Sequence, residues 1–255
     1  MRKTPTFSEG MAAGPHETAS HIRSRHPRLA QLLPGILLLA VFLLMSGCAS
    51  QTVFQSDFDR FGTGIPPIGP EKVGTTAVDP LSDQYVHVAS SHGNNVVITR
   101  ADHVDPVPAA ALQCKFAQFQ GDGAYVFSTV LYMPTGTGAA TIQFETFVQP
   151  VGDYGHGFLH IDLMPDNTLR IDDNDASKFG TFPRDQQFVL QVTLKINPAP
   201  TAHIVLAGAG ASGELDYPIL PAFVPLARQY GSVRLWMGTP WTGSFIASNV
   251  AVMYQ

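Results

Sequence analysis

Between Phe54 and Tyr254 apolar and polar residues alternate one by one, and a period of two admits little besides half-buried β-strands. In the stretch 188–196, Phe188, Leu190, Val192, Leu194 and Ile196 fall on one side, while Gln191, Thr193 and Lys195 fall on the other. Asn197-Pro198-Ala199-Pro200 breaks this pattern and 202–206 resumes it, which outlines a hairpin with a longer loop. Similar stretches at 85–88, 96–99, 112–119, 125–132, 141–148, 157–163, 169–172, 232–237 and 245–253 predict two packed antiparallel sheets rather than βαβ units. Only 223–230 reads as helical. Gly (23) and Pro (20) are abundant and charged residues make up 14% of the chain, against roughly a quarter in an average soluble protein. That balance suits many turns and few amphipathic helices.

The first 47 residues follow a different rule. A positive stretch at 22–28 is followed by the uninterrupted apolar run Ile36 to Met45 and then by Ser46-Gly47-Cys48, the order of a signal peptide. The run matches the roughly 7–15 residues of a secretory apolar segment and falls short of the roughly 20 that span a bilayer. A retained membrane helix over 29–47 is the alternative. Leu44-Met45-Ser46-Gly47-Cys48 resembles the bacterial lipobox. The resemblance implies cleavage before Cys48, a thioether-linked diacylglycerol on its sulfur and an acylated amino terminus. Each buried methylene contributes about 0.8 kcal/mol, so more than one chain gives stable membrane anchoring. Ala49-Ser50 lacks the Asp that often retains such proteins at the inner membrane, which points to the outer membrane of the cell envelope. The expected organisation is a signal peptide over 1–47 with a long n-region and a helical core, a lipidated terminus and short tether over 48–53, and one domain over 54–255.

The leader takes five of the fifteen basic and two of the twenty acidic residues, leaving ten and eighteen and a net charge near −8. Such a surface repels polyphosphate, and nucleic acid is not an expected partner. With Cys48 consumed by lipid, Cys114 is left alone and no intramolecular disulfide can form.

Several landmarks of the exported part resemble the concanavalin A-like lectin and glucanase jelly rolls. They are the opening Phe54-Gln55-Ser56-Asp57-Phe58 with its Gly/Pro-rich continuation 62–69, the hairpin 158–172, the strand pair 188–206 and the closing stretch 243–250. The fold class read from pattern and resemblance together is all-β, a two-sheet antiparallel jelly-roll β-sandwich. The resemblance implies that the first and last strands pair side by side.

Glycanases of that group carry an E-x-D-x-x-E strand whose alternation places the carboxylates on one face. Glu214-Leu215-Asp216 begins such a motif, but position 219 is Ile219 and Pro218 interrupts it, so the segment reads as a loop and hydrolysis by this route is not supported. No G-x-S-x-G elbow occurs, and Cys114 alternates with Leu112 and Phe116 as a buried thiol would. His156 and His160 lack further converging ligands, and Asp172-Asp173-Asn174-Asp175 lacks the spacing of an EF-hand loop, so neither metal nor cofactor is expected.

The richest polar group comes from the hairpin around 165–168. If Leu159, Ile161, Leu163, Leu169 and Ile171 face the core, then His160, Asp162, Arg170 and Asp172 share the opposite face, with Asp162 across from Arg170 and His160 across from Asp172. Ion pairs on a solvated sheet account for such a group, and so does a concave surface that holds sugars. By the same alternation Arg234 and Trp236 point outward, while Trp241 lies in the loop 238–243. An exposed indole offers an apolar plane to a sugar ring. Three roles follow: a non-catalytic surface for glycan or envelope-protein binding, a carbohydrate-active hydrolase or lyase, and a structural lipoprotein without a small ligand.

Overall fold

The computed structural model describes residues 50–80, 83–90, 95–100, 109–147, 153, 155–238 and 240–255. The expected signal peptide over 1–47 and Cys48 lie outside these. Among the described residues two eight-stranded antiparallel sheets form a sandwich. The first sheet runs β14 (Gly213–Pro218), β13 (Thr201–Ala207), β12 (Gln187–Lys195), β7 (Ala124–Tyr132), β16 (Gly243–Tyr254), β5 (Asn95–Arg100), β4 (Val86–Ala89), with β1 (Gln51–Ser56) also paired to β16. The second runs β11 (Asn174–Phe179), β10 (Leu169–Ile171), β9 (Gly157–Leu163), β8 (Ala140–Thr146), β15 (Tyr230–Gly238), β6 (Ala109–Lys115), β3 (Thr75–Val78), β2 (Gly69–Pro70). This is the all-β, two-sheet sandwich that the alternation predicts, and it is jelly-roll-like as the resemblance implies.

First and last strands do pair, from Gln51 opposite Tyr254 to Ser56 opposite Val250. β1 therefore starts three residues before Phe54, in Gln51 and Thr52, whose polarity hides a strand that the ladder to β16 supplies. The predicted helix over 223–230 shrinks to a 3₁₀ turn (Pro221–Phe223) and one helical turn, α1 (Val224–Ala227). Tyr230 is fully buried and opens β15, so the chain must be extended again by that point.

Alternation translates directly into burial: along β12 every second residue from Phe188 to Leu194 is buried and the intervening ones are not. The densest part of the core is aromatic. Phe144 stands 5.4 Å from Phe127, 5.7 Å from Tyr230 and 6.5 Å from Phe158, measured between ring centroids. Tyr125 meets Tyr230 edge to face at 5.0 Å, which joins the two sheets. Cys114 is buried in this core, where desolvation pushes its thiol well above the usual range, and an inert thiol is the result.

The Tyr125–Tyr230 contact also fixes which ends of the two sheets coincide. Gln51, Ala124, Lys195 and Tyr254 of the first sheet gather at the same end as Lys115 and Tyr230 of the second. At the opposite end Gly138 donates its backbone N–H to Thr242 at 2.9 Å, bringing the start of β8 to the start of β16. Trp236 and Trp241 belong to that second end.

The Glu214-Leu215-Asp216 segment is a strand and not the loop expected from Pro218. β14 is the sheet edge and Pro218 is its last residue, where a missing N–H breaks no necessary ladder bond. Its two acids are exposed and flank His203 on the outer face of the first sheet, with Nδ1 2.8 Å from Asp216 and Nε2 3.6 Å from Glu214.

Candidate functional site

On the second sheet the residues that alternate with the core form rows across the strands. One row runs Arg170, Asp162, Thr141, Trp236, Ala111 over β10, β9, β8, β15 and β6. The next runs His160, Gln143, Arg234, Gln113, and a third pairs Glu145 with Ser232. His160 and Arg170 thus share one face, and Asp162 stands directly across from Arg170 as the hairpin spacing predicts.

Two charge networks hold this face together. Arg170 donates from Nε and Nη2 to Asp162 Oδ2 at 3.0 and 2.8 Å, and Thr141 donates its hydroxyl to Asp162 Oδ1 at 2.7 Å. Asp173 adds a second carboxylate 2.6 Å from Arg170 Nη2. Further along the sheet, Arg234 Nε reaches Glu145 Oε1 at 2.5 Å, while Gln113 and Ser232 donate to Glu145 Oε2 at 2.8 and 3.0 Å. Arg234 Nη2 donates to the Asp153 carbonyl at 2.9 Å. Both partners of the Arg234–Glu145 pair have 0% side-chain exposure, although they project away from the hydrophobic core. A buried ion pair is tolerated where further hydrogen bonds support it, and here Gln113, Ser232 and the Asp153 carbonyl supply three.

Sequence reasoning places Arg234 on an accessible face; the structure seals it under its partners, and its role is to hold Glu145. Glu145, Gln113 and Ser232 carry no candidate status in the sequence reading. The alternation around Ile142 and Phe144 does send Glu145 outward, but its partner lies 89 residues away, beyond any local pattern.

Asp172 is a second correction. It takes φ +50° and Asp173 takes φ +56°, a two-residue left-handed turn between β10 and β11. That turn draws the Asp172 carboxylate to the sheet edge, where Oδ1 accepts the His160 backbone N–H at 2.8 Å and Oδ2 accepts the Tyr217 hydroxyl at 3.0 Å. Burial raises the Asp172 carboxyl above its ordinary range, and burial together with the Asp172 charge pushes Tyr217 up to about 12. Since Tyr217 lies on β14, Asp172 ties the edges of the two sheets and does not join the outer row.

Gly157 and Gly238 shape the rest of the face. A Cβ at Gly157 would stand 2.4 Å from both His160 Nε2 and Gln143 Nε2, so the imidazole folds down over the bare backbone there. A Cβ at Gly238 would stand 2.3 Å from Trp236 Cζ3, so the indole lies along its own strand over Gly238, half-buried. Trp241, also half-buried, packs its Cβ and ring edge over Gly138, and its carbonyl accepts from Arg100 Nη1 at 3.0 Å. What this end of the sheet offers is therefore a fixed indole, the Thr141 hydroxyl, the Arg170 guanidinium at 17% side-chain exposure and the edge of His160. Among the described residues no three His, Cys, Asp or Glu side chains gather as a metal site.

No family model matches the chain, and no curated protein matches it. Among solved structures it is similar to an endo-β-1,4-glucuronan lyase from the fungus Trichoderma reesei, with 10% identity over 80% of this chain and 96% of that one and a TM-score of 0.48. It is similar to the carbohydrate recognition domain of Emp47p, with 12% identity over 79% and 97% of the two chains and a TM-score of 0.45. The carbohydrate-binding module CBM66 from Bacillus subtilis gives 11% identity over 72% and 98% and a TM-score of 0.43. These values assign no role to any residue of the chain.

Proposed function

We propose that this chain is a cell-envelope lipoprotein, anchored through Cys48 in the outer membrane, whose second sheet presents a non-catalytic surface for glycan binding. The observation that carries the reading is the row Arg170, Asp162, Thr141, Trp236. It combines a half-buried indole held over Gly238 with a charge-paired polar floor already locked by hydrogen bonds. A sugar ring presents an apolar face and a rim of hydroxyls, and a preorganised aromatic plane beside fixed donors and acceptors matches both at little ordering cost. His160, Arg170, Trp236 and Trp241 are the contact residues in this reading, with Asp162 setting Arg170 in place. Arg234 and Asp172 support the surface from the neighbouring row and from its edge.

Binding is favoured over hydrolysis by the state of the carboxylates. A glycosidase needs one carboxyl as acid and another as base or nucleophile. Asp162 is taken by Thr141 and Arg170, and Glu145 by Arg234, Gln113 and Ser232.

A glycan array probed with residues 51–255 is the direct test. Selective retention of one glycan class is expected, and Trp236→Ala should weaken it about tenfold or more, since stripping a stacking aromatic from a binding surface typically costs 1–3 kcal/mol. Trp241→Ala should do the same to a smaller degree. An empty array, or full binding by the Trp236→Ala protein, would remove the glycan reading. Anchoring is tested separately: the Cys48→Ser chain should appear in the soluble fraction, and its retention in membranes would refute lipidation as the anchor.

A further inference from the structure

Cys48 is only three residues ahead of Gln51, where β1 is already locked against Tyr254. Three residues reach at most about 10 Å when fully extended. An anchor on Cys48 therefore cannot let the sandwich turn freely; the end that holds Gln51 must meet the membrane. The side chains at that end suit this. Leu220, one of three large apolar residues exposed among the described residues, is there at 42% exposure, because Ile219 beside it donates its backbone N–H to Pro200 at the turn between β12 and β13. Ala199 in that turn is exposed as well. Lys115, Lys195 and Arg228 lie at this end with Asp122, in a mature chain of net charge near −8.

We infer that the Gln51 end of the sandwich docks on the phospholipid bilayer, with Leu220 and Ala199 at the headgroup level, and that it holds the Trp236 and Trp241 end facing away from the membrane. The inference rests on the lipid-anchor reading and adds an orientation to it. β7 spans the sandwich from Ala124 at one end to Tyr132 at the other, a height of about 27 Å at the usual rise per residue. The tryptophan end would thus project well beyond the headgroups, toward long or surface-bound ligands and not toward lipids. Docking also excludes water from Leu220, while Lys115, Lys195 and Arg228 limit repulsion from anionic lipid.

The test uses the full lipidated chain reconstituted into vesicles of phosphatidylethanolamine and phosphatidylglycerol that contain a headgroup-attached quencher. A fluorophore is placed at Ala199→Cys, Leu220→Cys or, at the far end between β13 and β14, Ala209→Cys. The native Cys114 is buried and leaves the label to the introduced thiol. Quenching should be several-fold stronger at 199 and 220 than at 209. Equal quenching at all three positions, or the strongest at 209, overturns the orientation even though the protein sediments with the vesicles. A disulfide between two copies through Leu220→Cys, with weak quenching, would give that end to a second copy and overturn it equally. A chain that fails to sediment with the vesicles at all removes the anchor itself, so the two failures are told apart.

Discussion

Glu145→Ala should destabilise the domain by about 3–5 kcal/mol, the cost of leaving a buried guanidinium without its partner. Arg234 has no exposed side-chain surface, so it cannot swing into water to recover solvation, and Gln113 and Ser232 lose their common acceptor at the same stroke. Urea unfolding of the 51–255 domain, followed by tryptophan fluorescence, gives the number from the shift in midpoint at constant slope. The double variant Glu145→Leu with Arg234→Met should recover most of the loss, because two apolar side chains of similar volume need no partner. A loss below about 1 kcal/mol for Glu145→Ala, the range of solvent-exposed pairs, would mean that water reaches the network. The pair would then be open to ligands, and the division between a sealed support and an accessible row would fall.

Phe144→Ala should cost a comparable amount, about 3–5 kcal/mol, for a different reason. Phe144 is fully buried and its ring meets Phe127, Phe158 and Tyr230. Those neighbours are held by three different strands, β7, β9 and β15, in both sheets, so the void left by the ring cannot close without moving the sheets relative to each other. Phe144→Leu keeps most of the volume and should lose less than about 1.5 kcal/mol. If the two variants behave alike in the same urea measurement, the aromatic cluster is not the mechanical centre of the sandwich.

The architecture was largely readable because period-two burial is a local signal. β12 and β13 each carry it in five or more consecutive residues, and the resulting strands fall where the pattern puts them. β11 and β14 were missed because Asn174–Phe179 and Gly213–Pro218 bury no residue on either face. Their extended shape is imposed by ladder bonds to β10 and β13, which no local composition reports. The candidate face divides in the same way. Asp162 and Arg170 are eight residues apart across a short loop that fixes their register, so their pairing follows from counting. Asp172, two residues later, leaves the face because the backbone turns left-handed beneath it. Arg234 and Glu145 find each other only once β8 and β15 are neighbours, a fact of topology.

β16 follows every other strand of the first sheet in chain order and yet occupies its middle: it bonds to β7 on one side, to β5 on the other and to β1 along its second half. Without those twelve residues the sheet consists of three pieces, β14 to β7, β5 with β4, and β1, with raw inner edges and no means of joining. The flanks of the first sheet therefore stay unzipped until β16 is in place, and the keystone of the vault is one strand with a neighbour on either side.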